Sequence, residues 1–520
     1  MKKIYLYLAA TLMLFLSGFS TVKADQYLRV GMEAAYAPFN WTQDNDQNGA
    51  VRIEGTKTYA NGYDVQIAKK IAKSMGKDLI VVKTSWTGLI PALTSGKIDM
   101  IAAGMSPTPE RRKEISFSDS YYTSEPVLVV RKDSRFAKAH TLTDFSGAKV
   151  TAQQGVWHVK LIDQIKGVKK QTPMGDFSQM RQALSSGVID AYISEQPEGL
   201  TAENANPAFK IAPLQQGFTF SKTDTAISVG MKKDDPRLMQ VNQVLAKLSE
   251  HDRQKLMRKV VTYQPTLAKA KNGEKPSFFQ QMWTILLTNW HQFLRGTGLT
   301  LLISMVGTVI GLMIGLLIGV YRTAPKAKHK TTAFFQKLFG SLLTIYIEVF
   351  RGTPMIVQSM VIYYGTAQAF GVSLDRTLAA IFIVSINTGA YMSEIVRGGI
   401  FAVDAGQFEA ATALGFNHRQ TMRKIILPQV VRNILPATGN EFVINIKDTS
   451  VLNVISVVEL YFSGNTVATQ NYQYFQTFML IAVIYFILTF TVTRILRYVE
   501  RRLDDESYTR VASPALVEEA

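Results

Sequence analysis

LTLLISMVGTVIGLMIGLLIGVY, residues 299–321, runs for 23 residues without a charged side chain, long enough to cross the apolar core of a bilayer as one helix. Gly307, Gly311, Gly315 and Gly319 recur in it at every fourth position. Residues four apart share a helix face, so the stripe predicts close packing against another helix. Four more apolar stretches follow, at 334–364, 378–396, 434–460 and 478–496, giving five expected spans and an all-α membrane domain over 278–498. The fourth stretch is too polar to face lipid and should be surrounded by protein. The loop 322–330 is basic, the segment 397–433 carries Arg397, Arg419, Arg423, Lys424 and Arg432, and the tail has Arg494, Arg497, Arg501 and Arg502. The alternate loops, 365–375 and 463–474, contain no Lys or Arg. This asymmetry puts the basic loops in the cytoplasm and residues 499–520 with them as a tail, while everything before the first span lies outside.

Upstream of the first span the composition changes. Met1-Lys2-Lys3, an apolar run to about Val22 and the small residues Val22 and Ala24 form a secretory signal over 1–24, with an uncleaved anchor as the alternative. From Tyr27 to about Thr262 strand-like runs alternate with helical patterns, as in YLRVGME (27–33), DVQIAKKIAKSMG (64–76) and LIVVKT (79–84). Such alternation predicts an α/β domain with mainly parallel strands, over 25–263. SGKIDMIAAG (95–104) and SGVIDAYISE (186–195) share one grammar, which predicts two similar lobes, the second over about 123–213. QPTLAKAKNGEKPS (264–277) reads as a linker that, fully extended, reaches roughly 45 Å. The aromatic stretch 278–294, with Trp283 and Trp290, suits an interfacial helix.

At 520 residues the chain exceeds a single core, and it contains no cysteine. Disulfides, Cys-ligated metals and a lipobox lipid are therefore excluded, and no metal site is expected. The net charge of +17 is concentrated beside apolar segments, which fits membrane topology better than a nucleic-acid surface. No Gly-x4-Gly-Lys-Ser/Thr occurs, so no nucleotide cofactor is expected on this chain.

Glu409-Ala410-Ala411, then Gly415, then Ile425 and Leu427-Pro428 form a spaced pattern on the cytoplasmic side. FEAATAL (408–414) reads as a short helix that Gly415 ends in a left-handed cap, with Pro428 stopping the next helix, so the whole is a compact elbow. The spacing resembles the EAA loop of ABC importer permeases, specifically the polar amino acid importers, and IEVFRGTPMIVQSM (347–360) and IKDTSVLNVISVVEL (446–460) extend the resemblance. The resemblance implies that Glu409, Ala410, Ala411 and Gly415 couple to a separate ATPase that holds ATP and Mg, in two copies against a homodimer of this chain. Charged and amide residues inside the spans should face the protein interior. Arg351, Asn387, Glu394 and Glu441 are the candidates for a translocation path, with mutual ion pairing the alternative, and Gly352-Thr353-Pro354 should interrupt the second span.

VGMEAAYAPFNW (30–41), WTGLIPALTSGKIDMIAAGMSPTPERR (86–112) and FSDSYYTSEPVLVV (117–130) resemble the polar amino acid binding proteins. That resemblance implies a two-lobed, type II periplasmic-binding-protein-like domain closing on one free amino acid. The family's ligand contacts fall on Glu33, Tyr36, Trp86, Gly104, Ser106, Arg111 and Glu195. The chemistry suits those types: Arg111 for a bidentate bond to the carboxylate, Glu195 for the ammonium, and Tyr36 and Trp86 as flat walls. The second-lobe loop departs from the family pattern in having Val156-Trp157-His158 after Gly155. A carboxylate at Glu33 suits a cationic side chain and also accepts from an amide, which favours an arginine-, lysine- or histidine-like ligand with glutamine second. The resemblance therefore implies ATP-driven import across a cell membrane of Gram-positive type. An amino acid-gated channel or receptor is the main alternative, and a dehydratase reading finds no nucleophile motif around the six histidines.

Overall fold

The two I-D dipeptides do the same job in each lobe. Asp99 accepts the backbone N–H of Arg29 at 2.9 Å, and Asp190 accepts that of Lys149 at 2.9 Å, so each aspartate locks the start of the neighbouring strand. Each follows a glycine in left-handed conformation, Gly96 at φ 75° and Gly187 at φ 75°, that ends the preceding helix. The computed structural model describes residues 26–221, 225–264, 277–325, 327, 329–372, 374–471 and 473–504. The expected signal peptide, all but the end residues of the expected linker, and the chain beyond 504 lie outside the described residues.

The first lobe holds a sheet in the order Asp78–Lys83, Tyr27–Met32, Met100–Ile101, Ala226–Met231, Ser116–Thr123. The second holds Lys169–Lys170, Lys149–Thr151, Ala191–Glu195, Pro126–Arg131, Phe209–Ile211. Both sheets are mixed rather than mainly parallel. The chain leaves lobe one after Ser116–Thr123 and returns by Ala226–Met231, and these two strands pair antiparallel. The crossings are themselves joined, Ser124 N–H donating to Thr225 O at 3.2 Å, which makes a two-stranded hinge.

Helices of the membrane domain are α1 (Phe278–Arg322), α2 (Lys330–Gly352), α3 (Arg376–Phe401), α4 (Ala405–Ala413), α5 (Leu427–Asp448), α6 (Leu460–Asn471) and α7 (Tyr474–Asp504). Four helices among the described residues are long and apolar enough to cross a membrane; a fifth is counted when His418–Ile455 and α6, bent by 57°, are taken as one span. The glycine stripe of α1 lies directly on α3. A Cβ at Gly307, Gly311, Gly315 or Gly319 would come within 2.5, 2.7, 2.5 or 2.6 Å of Val384, Thr388, Met392 or Val396. The helices approach backbone to backbone because nothing but hydrogen stands between them.

Three expectations about helix ends change. The aromatic stretch is not a separate helix: α1 runs unbroken from Phe278 through the first span, with Trp283 and Trp290 exposed along it. Pro428 does not stop a helix either. It sits in the first turn of α5, after a π-turn over Met422–Ile426 that follows His418–Thr421, and the wide turn accommodates a residue without an N–H. The fourth span ends at Asp448 and passes into a 3-10 turn, Thr449–Ile455. By contrast the second span breaks at Gly352-Thr353-Pro354. Gln358 Nε2 covers the carbonyls freed there, bonding Phe350 O and Thr353 O at 2.9 Å each, since no water is at hand inside a bilayer.

Candidate functional site

The cleft forms where strands of both lobes end at their carboxyl edges. Glu33 follows Tyr27–Met32, and Glu195 closes Ala191–Glu195. Gly104 has φ 64°, and a Cβ there would meet the Tyr36 ring at 2.5 Å, so only glycine lets this loop lie against Tyr36. Asp64 supports the loop from behind, bonded by Tyr121 Oη at 2.6 Å and Asn40 Nδ2 at 2.8 Å. Burial pushes the Asp64 carboxyl up to about 6. Thr108 caps the helix Pro109–Glu114 and aims Arg111 into the cleft.

All seven residues expected from the sequence line this cleft, and several bridge it. Arg111 donates through Nη1 to Ser106 O at 2.9 Å and through Nη2 to Gly155 O of the second lobe at 2.9 Å, with its guanidinium 5.0 Å above the Trp86 ring. Burial lowers the Arg111 guanidinium to about 10. Tyr36 Oη donates to Glu195 across the lobes. Its ring stacks between Phe39 and Phe177, with centroids 5.0 and 4.7 Å away. The two lobes are closed on one another.

Five residues of the cleft escaped sequence reading. Gln153 Nε2 reaches Glu33 Oε1 at 3.3 Å and Gly175 O at 3.3 Å, and Phe177 stacks on Tyr36. His158, 1% exposed, stands 3.4 Å from Glu195 with neither ring nitrogen in a hydrogen bond; burial pushes its pKa down. Asp176 and Lys83 complete the charge at the far end beside Glu33. Burial, with the charge of Asp176 added, pushes the Glu33 carboxyl up to about 8, and burial also raises Asp176. Burial holds the Lys83 ammonium down to about 7. For Gln153 and His158 the neighbouring Gly155 was a signal. For Asp176, Phe177 and Lys83 the sequence held none.

The binding domain rests on one end of the membrane domain. Arg376 pairs with Glu54 at 3.0 Å, Lys97 Nζ donates to Leu374 O at 3.0 Å, and Arg295 donates to Gly55 O at 3.2 Å. Farther along α1, Arg322 pairs with Glu394 beside the elbow. From Arg295 to Arg322 the helix rises about 40 Å, more than the bilayer's apolar thickness. At the elbow, Glu409 and Ala410 are exposed on α4, Ala411 is buried, and Gly415 takes φ 79° as the left-handed cap. Leu414 beside them is 75% exposed.

The intramembrane candidates divide. Asn387 is buried and donates to Gln358 Oε1 at 2.9 Å beside the break in the second span. Arg351 is exposed, its guanidinium 5.5 Å over the Tyr391 ring, and Glu441 is half-buried on α5. Glu394 lies in an ion-pair triad with Arg322 and with Arg397, the latter at 2.8 Å. Asn445 of α5, another intramembrane amide expected to face the interior, is buried and donates to Thr308 at 2.8 Å and Thr388 at 2.9 Å, tying three helices together. Among the described residues no cluster of His, Asp and Glu could hold a metal ion.

Comparison with known proteins agrees with both halves of this architecture. Residues 28–262 match the bacterial extracellular solute-binding proteins, family 3, and residues 311–505 match the binding-protein-dependent transport system inner membrane component. The glutamine transport system permease protein GlnP of Escherichia coli (strain K12) is 40% identical over 177 residues, 33% of this chain and 81% of that protein. The arginine transport system permease protein ArtQ of Bacillus subtilis (strain 168) is 38% identical over 158 residues, 30% of this chain and 72% of that one. Among solved structures, the amino acid ABC transporter substrate-binding protein AbpA of Streptococcus pneumoniae bound to L-arginine is 28% identical, covering 46% of this chain and 97% of its own with a TM-score of 0.40.

Proposed function

The chain belongs to the amino acid permeases of the binding-protein-dependent ABC transporters, with a family 3 solute-binding domain fused to its permease domain, and on that premise we propose that it imports a basic amino acid at the expense of ATP. The binding domain stands outside the cell membrane and closes on the ligand. The permease, paired with a second copy of this chain, carries the ligand inward, and two separate ATPase subunits grip the exposed elbow around Glu409 and Leu414. Arg111 takes the ligand carboxylate by adding to or exchanging its bonds to Ser106 O and Gly155 O, and Glu195 accepts from the ligand ammonium in addition to or in place of the Tyr36 hydroxyl.

The observation that carries the substrate is the far end of the cleft, where the buried Glu33 stands within electrostatic range of the half-buried Asp176. A buried carboxyl with a second acidic group in range calls for a cation, which an arginine-, lysine- or histidine-like side chain supplies. The named relatives transport glutamine and arginine, which keeps glutamine as the second substrate. Asn387, beside the broken second span, and Glu441 are proposed to line the path through the bilayer, together with Arg351; Glu394 belongs to the ion-paired inner end.

The test is reconstitution in vesicles with the partner ATPase, measuring labelled arginine uptake and arginine-stimulated ATP hydrolysis. Both should require ATP and fail in Arg111→Ala and in Glu409→Lys. Ion flux on adding an amino acid to vesicles holding this chain alone would overturn the reading in favour of a channel.

A further inference from the structure

Lys83 ends the strand Asp78–Lys83 and is 6% exposed, yet its ammonium points at the membrane domain. Nζ donates to Thr466 Oγ1 of α6 at 2.9 Å, lies 5.0 Å from the Phe462 ring centroid, and reaches Thr42 Oγ1 at 3.4 Å. Glu33 and Asp176 are within electrostatic range of the same ammonium. Tyr461, at the start of α6, is in range of Asp176. The membrane domain therefore walls the acid end of the cleft, and Lys83 stands on the boundary.

A buried ammonium is most stable against a carboxylate. Here its short contact is a neutral hydroxyl and an aromatic face from the other domain. The two sets of partners compete for one charge on one flexible stem. When the binding domain separates from α6, Thr466 and Phe462 stay with the membrane domain, and Lys83 keeps Thr42 with Glu33 and Asp176 as the charges in electrostatic range.

We propose that Lys83 is a positioning residue through which the membrane domain sets the charge selectivity of the cleft. Held by Thr466 and Phe462, it leaves Glu33 and Asp176 to a cationic ligand side chain; released, it pairs with those carboxylates and competes with that ligand. Linkage makes the effect reciprocal: a cationic side chain that displaces Lys83 from the carboxylates strengthens docking onto α6 by the factor by which docking strengthens its binding. A neutral amide displaces nothing and is not favoured in this way. The inference rests on the reading of the cleft as a site for a basic amino acid.

The experiment is calorimetry of L-arginine and L-glutamine binding to the full chain in lipid nanodiscs without nucleotide. It compares wild type, Thr466→Val, Lys83→Met and the double variant, with Thr466→Ser keeping the hydroxyl. Loss of one hydrogen bond to a charged donor corresponds to about tenfold in affinity. Thr466→Val should weaken arginine by about that factor, glutamine by less than about twofold, and Thr466→Ser should match wild type. In the Lys83→Met background the Thr466→Val effect on arginine should vanish. Equal weakening of both ligands, or the same arginine loss with Lys83 already removed, overturns the proposal while leaving the cleft reading intact. A wild type that binds glutamine but not arginine, or neither, overturns the cleft reading and this inference with it.

Discussion

Because burial keeps the Glu33 carboxyl near pH 8, arginine binding should carry a pH dependence that glutamine binding lacks. Arginine is charged throughout the accessible range, so Glu33 must give up its proton to pair with it. Each pH unit below about 8 then costs about 1.4 kcal/mol, or tenfold in Kd. Between pH 6 and 8 arginine should bind more tightly by up to about a hundredfold, levelling above pH 8. The other shifted groups at this end of the cleft act in the same sense. Lys83, lowered to about 7, loses its competing proton in that window. Burial also shifts His158 toward its neutral form. Asp176 is also raised and adds to the slope where it titrates. Glutamine offers an amide that accepts from the protonated carboxyl and donates to the ionised one, so its Kd should change little. Calorimetry of both ligands at half-unit intervals, repeated for Glu33→Gln, reads the slope directly. The variant should lose most of the arginine slope and keep glutamine binding. A flat arginine profile in the wild type, or a glutamine profile equally steep, would refute the reasoning.

Arg111→Ala removes the bridge between Ser106 O and Gly155 O as well as the carboxylate partner, and should weaken either ligand by about 3 kcal/mol, read as a Kd increase of about a hundredfold. The ligand-free protein holds protons on Glu33 and Asp64 that an unfolded chain has released, since burial raises both from their ordinary values of 4.5 and 3.8. The unfolded state binds fewer protons there, so these groups lower stability as pH rises through about 4 to 8, and the melting advantage of Glu33→Gln over wild type should grow across pH 4.5–8. Gly315→Leu forces a side chain where a Cβ alone would stand 2.5 Å from Met392, and should abolish a monodisperse peak in detergent chromatography, whereas Leu317→Ala, on an exposed face, should leave it intact. Leu414→Asp at the exposed elbow should leave arginine affinity unchanged while abolishing arginine-stimulated ATP hydrolysis with the partner ATPase.

Much of the architecture was legible because it rests on local rules. The apolar stretches, the glycine stripe, the I-D grammar and the left-handed Gly415 each follow from the period of a helix or strand or from the freedom of one residue. The first site residues were legible for a different reason: Glu33, Tyr36, Trp86, Arg111 and Glu195 stand in motifs whose spacing resembles a family. Helix ends were less legible. Pro428 reads as a stop until a π-turn before it supplies the room, and the aromatic stretch reads as separate until Gly296 is seen packed against Ser463 and Leu460.

What only the tertiary structure decided is which charges meet. Lys83, Asp176 and Glu33 are separated by 50 and 93 residues from one to the next in sequence order Glu33, Lys83, Asp176, and Thr466 lies far beyond them. No periodicity links such positions, because their proximity comes from two lobes closing and from a membrane helix capping the result. The same is true of protonation: a carboxylate written in the sequence is charged by default, and burial in the closed cleft raises Glu33 toward 8. Local pattern specifies the elements and the family-like motifs. Desolvation and long-range pairing, which exist only once the chain is folded, decide what the cleft prefers to hold.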